Sequence, residues 1–191
     1  MQLAASLKTT ATVYHKDVID AMFRQPFSSA TIPFAANTIN SNAVINAADY
    51  DLGKNGYAYW DNDTADYHVS GVSGRGNKGG VYRNDGVDIS KDAAGYYVSS
   101  MEKGEWLQYS LDVKKAGLYS LQLTVAAKEN GNISFSVDEN TIPAVDIPAG
   151  DITDWKKIAA GSYKFSKGRH TLRVYANAGT LNLRAIQLII Q

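Results

Sequence analysis

The chain has no cysteine, which excludes a disulfide framework and thiol chemistry. It does not fix a compartment, since exported proteins without cysteine exist. There is no excess charge of either sign: 19 Lys and Arg balance 19 Asp and Glu. That removes the electrostatic case for nucleic acid, an anionic membrane or an acidic polymer as partner. No apolar run is long enough to span a bilayer. Residues 1–8 lack the basic-then-apolar order of a signal peptide. An exported parent would therefore contain this chain as a mature piece of something longer, acting outside the cell or at its surface. What is plentiful is tyrosine, 12, and glycine, 16. Together they lean toward an all-β, turn-rich domain, and 191 residues suffice for one full core.

Residues 14–24 are the one good helix candidate, with Val18, Ile19, Met22 and Phe23 on one stripe and Pro26 as a stop. Residues 27–42, rich in Ser, Thr, Pro and Asn, read as a linker with some extended structure. Two parts are therefore expected. Residues 1–42 form a tail, short helix and linker, left from or leading to an upstream domain, and residues 43–191 form the folded body. Strands are expected at 43–50, 95–100, 105–113, 118–126, 133–137, 144–147, 155–165, 170–176 and 181–190, with a long Gly-, Asn- and Asp-rich loop carrying short strands at 51–85. Short strands separated by turns, with no helices between them, predict a two-sheet antiparallel β-sandwich of jelly-roll type.

The segment Gly104-Glu105-Trp106-Leu107-Gln108-Tyr109-Ser110-Leu111 is the most telling. Side chains alternate along a strand, so Leu107, Tyr109 and Leu111 share one face while Trp106, Gln108 and Ser110 share the other. Flat indole surface beside a fixed amide suits the C–H faces and hydroxyls of a pyranose. The bland alternative is that Trp106 packs under a loop.

A series of short motifs then occurs in order: Ile45-Asn46-Ala47-Ala48-Asp49-Tyr50-Asp51, Gly56-Tyr57-Ala58-Tyr59-Trp60-Asp61, Gly79-Gly80-Val81-Tyr82-Arg83, Gly104-Glu105-Trp106, Ala116-Gly117-Leu118-Tyr119, Gly168-Arg169-His170-Thr171-Leu172 and Leu181-Asn182-Leu183. The series resembles the family 6 carbohydrate-binding modules of secreted bacterial glycoside hydrolases. The resemblance implies a β-sandwich that binds glycans without cleaving them, at either of two places. One is a pair of rings with an Asn in the loops at one end; the other is the concave face carrying the Trp of the Gly-acidic-Trp motif. It also implies a structural calcium held by first-strand glutamates. Here those positions are Asn46 and Ala48, so no carboxylate is offered, and calcium prefers several oxygens including carboxylates. The end-loop rings fall by counting at Ser100 and Ile152, which leaves Asn182 alone there.

Other chemistry is thin. Tyr57, Tyr59, Trp60, Tyr67 and Tyr82 sit in or near the long loop, mostly as anchors, with Trp60 and Tyr67 the best ligand contacts. Asp61, Asp63 and Asp66 are spaced like a cation loop but lack the Gly and distal Glu of an EF-hand. The Gly-rich residues 71–80 lack the P-loop order. His15, His68 and His170 show no zinc spacing, and no nucleophile elbow surrounds a serine. Glu102 and Glu105 straddle a turn. The expected protein is a non-catalytic module that recognises a polysaccharide and brings an attached glycoside hydrolase to it. Trp106 would be the platform, Gln108 a hydroxyl partner, and Trp60 and Asn182 further contacts. The alternatives are a sandwich that has lost sugar binding and packs on its catalytic domain, and a glycoside hydrolase with two carboxylates across a cleft.

Overall fold

The alternation read in residues 106–111 is realised in strand β6 (Trp106–Val113): Leu107, Tyr109, Leu111 and Val113 are buried, while Trp106, Ser110 and Asp112 are half-exposed. The structure is a computed structural model and describes residues 19–24, 26, 28–62, 81–83 and 85–191. The first half of the expected helix, His15, Asp63, Asp66, Tyr67, His68 and residues 71–80 lie outside the described residues. Of the helix itself, Ile19 and a π-helical turn, Asp20–Arg24, are described.

Two sheets stack face to face. The first orders β1 (Asn37–Ile39), β6, β11 (Gly168–Ala178), β8 (Gly131–Val137) and β9 (Asn140–Ile147), with β3 (Tyr59–Trp60) also on β6. The second orders β10 (Lys156–Phe165), β7 (Gly117–Ala127), β12 (Leu181–Ile190), β5 (Gly95–Met101) and β4 (Ile89–Asp92), with β2 (Ala43–Asn46) on β12. Among the described strands only β1 and β6 pair in parallel. The inner faces interdigitate as a sandwich core: Tyr119, Leu121, Leu123 and Val125 of β7 and Leu183, Ile186 and Leu188 of β12 meet Leu172 and Val174 of β11 and Ile133, Phe135 and Val137 of β8. Two of the buried tyrosines place their hydroxyls on backbone acceptors. Tyr109 donates to Ala47 O at 2.9 Å and Tyr119 to Lys115 O at 2.7 Å.

Two elements depart from the sequence expectation and a third is sharpened. The first strand stops at Asn46, because its side chain accepts from Ala48 N at 3.4 Å and starts a 3₁₀ turn at Ala47–Asp49. β4 forms where no strand is expected; its outer residues are exposed and its strand character comes from pairing with β5. β1 is extended structure within the linker stretch, and it hydrogen-bonds alongside β6 at the register Asn37↔Leu111.

The segment leading into β1 is fastened firmly. Ile32 and Leu52 exchange backbone bonds of 3.0 and 2.8 Å. Arg24 Nη2 donates to Pro33 O and Phe34 O, and the buried Phe34 ring lies 4.4 Å from the Arg83 guanidinium. Arg83 is itself buried, bonded to the Tyr50 and Asp51 carbonyls and ion-paired with Asp85.

Candidate functional site

Strand register brings residues far apart in sequence into rows on the outer face of the first sheet. Trp60 of β3 lies opposite Trp106 of β6, Trp106 opposite Tyr175 of β11, and Tyr175 opposite Ser134 of β8. Partners in register share a face, so three aromatic side chains run across the sheet. Trp60 is 45% exposed, and its Nε1 donates to Asn62 Oδ1 at 3.1 Å. Trp106 and Tyr175 are half-buried, with ring centroids 6.4 Å apart. Glu105 secures the turn below them, accepting from Asn62 N at 3.1 Å and Glu102 N at 2.9 Å. Burial raises its carboxyl pKa, and those two backbone donors oppose the rise. Glu102 is exposed and Glu105 is occupied in this way, so the pair does not form a two-carboxylate cleft.

The next row is Gln108, Arg173 and Ser136. Gln108 is 5% exposed. Its Nε2 donates to Thr31 Oγ1 at 3.0 Å and Asp51 Oδ2 at 3.1 Å, and its Oε1 accepts from Arg173 Nε at 2.9 Å. The amide thus holds the arginine, and the guanidinium carbon lies 4.4 Å from the centre of the Trp106 ring. One face of the indole is covered by this cation. The terminal nitrogens of Arg173 have no partner among the described residues. Behind Gln108, the buried Asp51 carboxylate accepts from Ser110 N at 2.9 Å, Ser110 Oγ at 2.7 Å and Gln108. Burial raises the Asp51 pKa, opposed by those hydrogen bonds.

Beside this row lies a groove of about 690 Å³. Gln108, Ser134, Ser136, Arg173, Tyr175 and Asn177 form its floor, and Asp138 and Glu139 stand at its edge. The floor groups are tied to one another: Ser136 Oγ to Tyr175 Oη at 3.2 Å, Ser134 Oγ to Asn177 Oδ1 at 3.3 Å, and Asn177 Nδ2 to Asn132 Oδ1 at 2.8 Å. Fixed hydroxyls, amides and a guanidinium beside aromatic rings can hydrogen-bond a polyol and stack on its apolar faces.

Of the residues singled out in the sequence, Trp60, Trp106 and Gln108 come together on this face; Asn182 does not. It lies at a register shift of β12 in the other sheet, accepting from Ser100 N at 3.0 Å and donating to Ile152 O at 3.1 Å. Ser100 has φ 54°, a left-handed conformation that a non-glycine residue adopts at a cost, so Asn182 clasps a bulged strand end to a loop. Counting put the end-loop rings at Ser100 and Ile152. Three residues from each, the structure brings together Tyr97 and Trp155, with centroids 5.0 Å apart, edge to face. Arg184 lies 4.0 Å from the Trp155 ring centre and is ion-paired with Asp92. Rings in mutual contact leave no slot for a sugar between them.

Asp61 is buried, and its backbone is held by the Asn55 amide. At the expected calcium positions the Asn46 oxygen caps its turn and Ala48 offers a buried methyl. That donor set does not fit calcium.

No site role fell to Arg173, Tyr175 or Asp51 from the sequence alone, although Asp51 closes the first of the motifs that carry the resemblance. The available signal was the alternation of Thr171, Arg173 and Tyr175 outward against Leu172 and Val174 inward.

Solved structures share the fold. The C-terminal family 6 module of LamC, a marine laminarinase from Zobellia galactanivorans, superposes with a TM-score of 0.55 at 18% identity, over 78% of this chain and 99% of that one. A family 6 module from Clostridium stercorarium, solved with cellobiose, gives 0.57 at 13% identity over 82% and 98%. The Podospora anserina β-(1,4)-mannanase carrying a family 35 module gives 0.55 at 18% identity, over 80% of this chain and 28% of that one. Among curated protein sequences none matches the chain. The motifs resemble family 6, which these structures match in fold; the family whose sequence model matches is a different one. That model covers residues 83–187, more than half of the chain, and the protein belongs to carbohydrate binding module (family 35).

Proposed function

We propose that this module binds a polysaccharide on the outer face of its first sheet, and that it does so to hold an attached glycoside hydrolase at that polymer outside the cell. The observation that carries the reading is the cross-strand row Trp60, Trp106 and Tyr175 beside a groove floored by Arg173 and hydroxyl groups. Trp106 serves as the base on which Arg173 is laid. Tyr175 and the exposed Trp60 supply ring surface, and Gln108 orients the guanidinium. The module has no catalytic role in this reading, and tethering raises the local concentration of substrate around its partner enzyme. Calcium is not needed for folding or binding, in keeping with Asn46 and Ala48.

The test is affinity gel electrophoresis on neutral polysaccharides, with the wild type beside Tyr175→Ala and Trp106→Ala. The reading expects retardation of the wild type on at least one polymer and its loss in both variants. Equal retardation of all three proteins contradicts the site. The contact between Tyr97 and Trp155, closed by Arg184, supports a second reading in which the sandwich is purely architectural; it expects no retardation on any polymer.

A further inference from the structure

A second groove, of about 440 Å³, lies between residues 31–38 and the first half of β11. One wall is Pro33, Ala36 and Thr38; the other is Asp112, Arg169 and Thr171. Asp138 and Thr171 line this groove and the first one alike, so the two meet end to end. Every outward residue of β11 from Arg169 to Asn177 then borders one or both. Eight residue steps at about 3.3 Å each give a trough of about 26 Å along one strand, enough for several pyranose units in line.

The outer wall is rigid. The bonds of Ile32 with Leu52 and of Arg24 with Pro33 and Phe34 hold it from behind, and Asn37 Nδ2 donates to Ser110 O at 3.2 Å. A wall set before binding adds little ordering cost when a ligand enters.

Its chemistry differs from that of the first groove. The His170 ring is its one aromatic group among the described residues, and the imidazole Nδ1 lies 2.5 Å from Asp138 Oδ2. The remaining polar groups are hydroxyls, the Asn37 amide, the Arg169 guanidinium, and Asp112 ion-paired with Lys114. Cations and carboxylates are mixed along it, so no net charge selects an anionic ligand, and Asp112 and Asp138 would repel one. Planar charged groups with paired donor or acceptor sites suit vicinal hydroxyls.

We propose that this groove continues the binding face, taking further residues of one linear, neutral glycan whose first residues lie beside Tyr175. The inference rests on the reading of the first groove given above. It adds that the ligand is a run of sugar residues spanning both grooves, with stacking at the Tyr175 end and hydrogen bonding alone at the Arg169 end.

The test is calorimetric titration with ladders of neutral β-linked gluco-, xylo- and manno-oligosaccharides of two to eight residues. The protein is the whole chain, as wild type, Tyr175→Ala, Ala36→Trp and Arg169→Ala. Ala36 is exposed on the groove wall, so a tryptophan there fills the groove without entering the core. The wild type should gain affinity with length beyond the trisaccharide. Ala36→Trp and Arg169→Ala should lose about tenfold on the long oligosaccharides, the scale of one or two hydrogen bonds, and bind the short ones as the wild type does. Tyr175→Ala should lose all lengths. Affinity that stops rising at two or three residues, or long-chain binding unchanged by Ala36→Trp, overturns the extension while a loss in Tyr175→Ala keeps the first groove. No binding of any ladder by the wild type removes both.

Discussion

Replacing Asp51 by asparagine tests how the binding face is held from behind. The Asp51 carboxylate is fully buried and accepts three hydrogen bonds, from Ser110 N, Ser110 Oγ and Gln108 Nε2. An amide in its place must turn its NH₂ toward either the Ser110 N–H or the Gln108 NH₂. In either orientation one buried donor faces another. A buried donor left without an acceptor costs about 1–3 kcal/mol, and at about 2–4 °C per kcal/mol for a chain of this size the melting temperature should fall by about 2–12 °C. Loosening Gln108 also frees Arg173, so glycan affinity should drop about tenfold, the loss expected from one charge-assisted hydrogen bond. The pH dependence is fixed in sign. Burial raises the Asp51 pKa in the folded chain, so between the ordinary and the raised value the folded state keeps a proton that the unfolded chain has released. The stability tied to that proton is fully present below the ordinary aspartate pKa of about 3.9 and is lost as pH rises through the raised value. The asparagine of the variant does not titrate. The gap in stability between wild type and Asp51→Asn should therefore narrow as pH rises through that window. Thermal unfolding followed by circular dichroism at a series of pH values, with calorimetric titration at neutral pH, measures both effects. A variant within about 0.5 kcal/mol of the wild type, the range of ordinary surface substitutions, refutes the anchoring role of Asp51. A gap that widens with pH refutes the sign.

Two further predictions concern the ends of the sandwich. Asn182→Ala removes two hydrogen bonds that clasp Ser100 and Ile152 and should cost about 2–4 kcal/mol in denaturant unfolding, while binding on the outer face stays as in the wild type; loss of binding with stability intact would return Asn182 to the ligand site. Adding a chelator should leave the melting temperature and gel retardation unchanged, since the first-strand positions are Asn46 and Ala48, and a chelator-induced drop in melting temperature would mean that other oxygens hold a metal.

The sandwich could be read from alternation because burial on one face imposes period two on a strand. Leu107, Tyr109 and Leu111 against Trp106, Gln108 and Ser110 is such a case, and so is Tyr119, Leu121, Leu123 and Val125 in β7. The same pattern put Trp106 and Gln108 on the outer face, where the structure has them. It could not tell that Gln108 is buried, because the groups that cover and bond it, Thr31 and Asp51, lie 77 and 57 residues away. Nor could it tell that Arg173 lies on the indole, since that contact depends on the pairing of β6 with β11. For β1 only extended structure could be read, not its partner, because three residues in parallel pairing carry no local signal of the strand they join. Counting back from Trp106 to Ser100 missed Tyr97 because β5 bulges at the left-handed Ser100 and its pairing with β12 shifts register there.

The three tryptophans divide the molecule: Trp60 and Trp106 stand on the outer face of the first sheet, and Trp155 packs on Tyr97 and Arg184 of the second sheet. Their indole N–H signals in a ¹⁵N correlation spectrum, assigned with single Trp→Phe variants, report ligand at each place separately. During titration with a bound oligosaccharide, the Trp60 and Trp106 signals should shift together along the binding curve while Trp155 stays fixed. A shift of Trp155 alone would put the glycan at the end loops and contradict binding across the sheet.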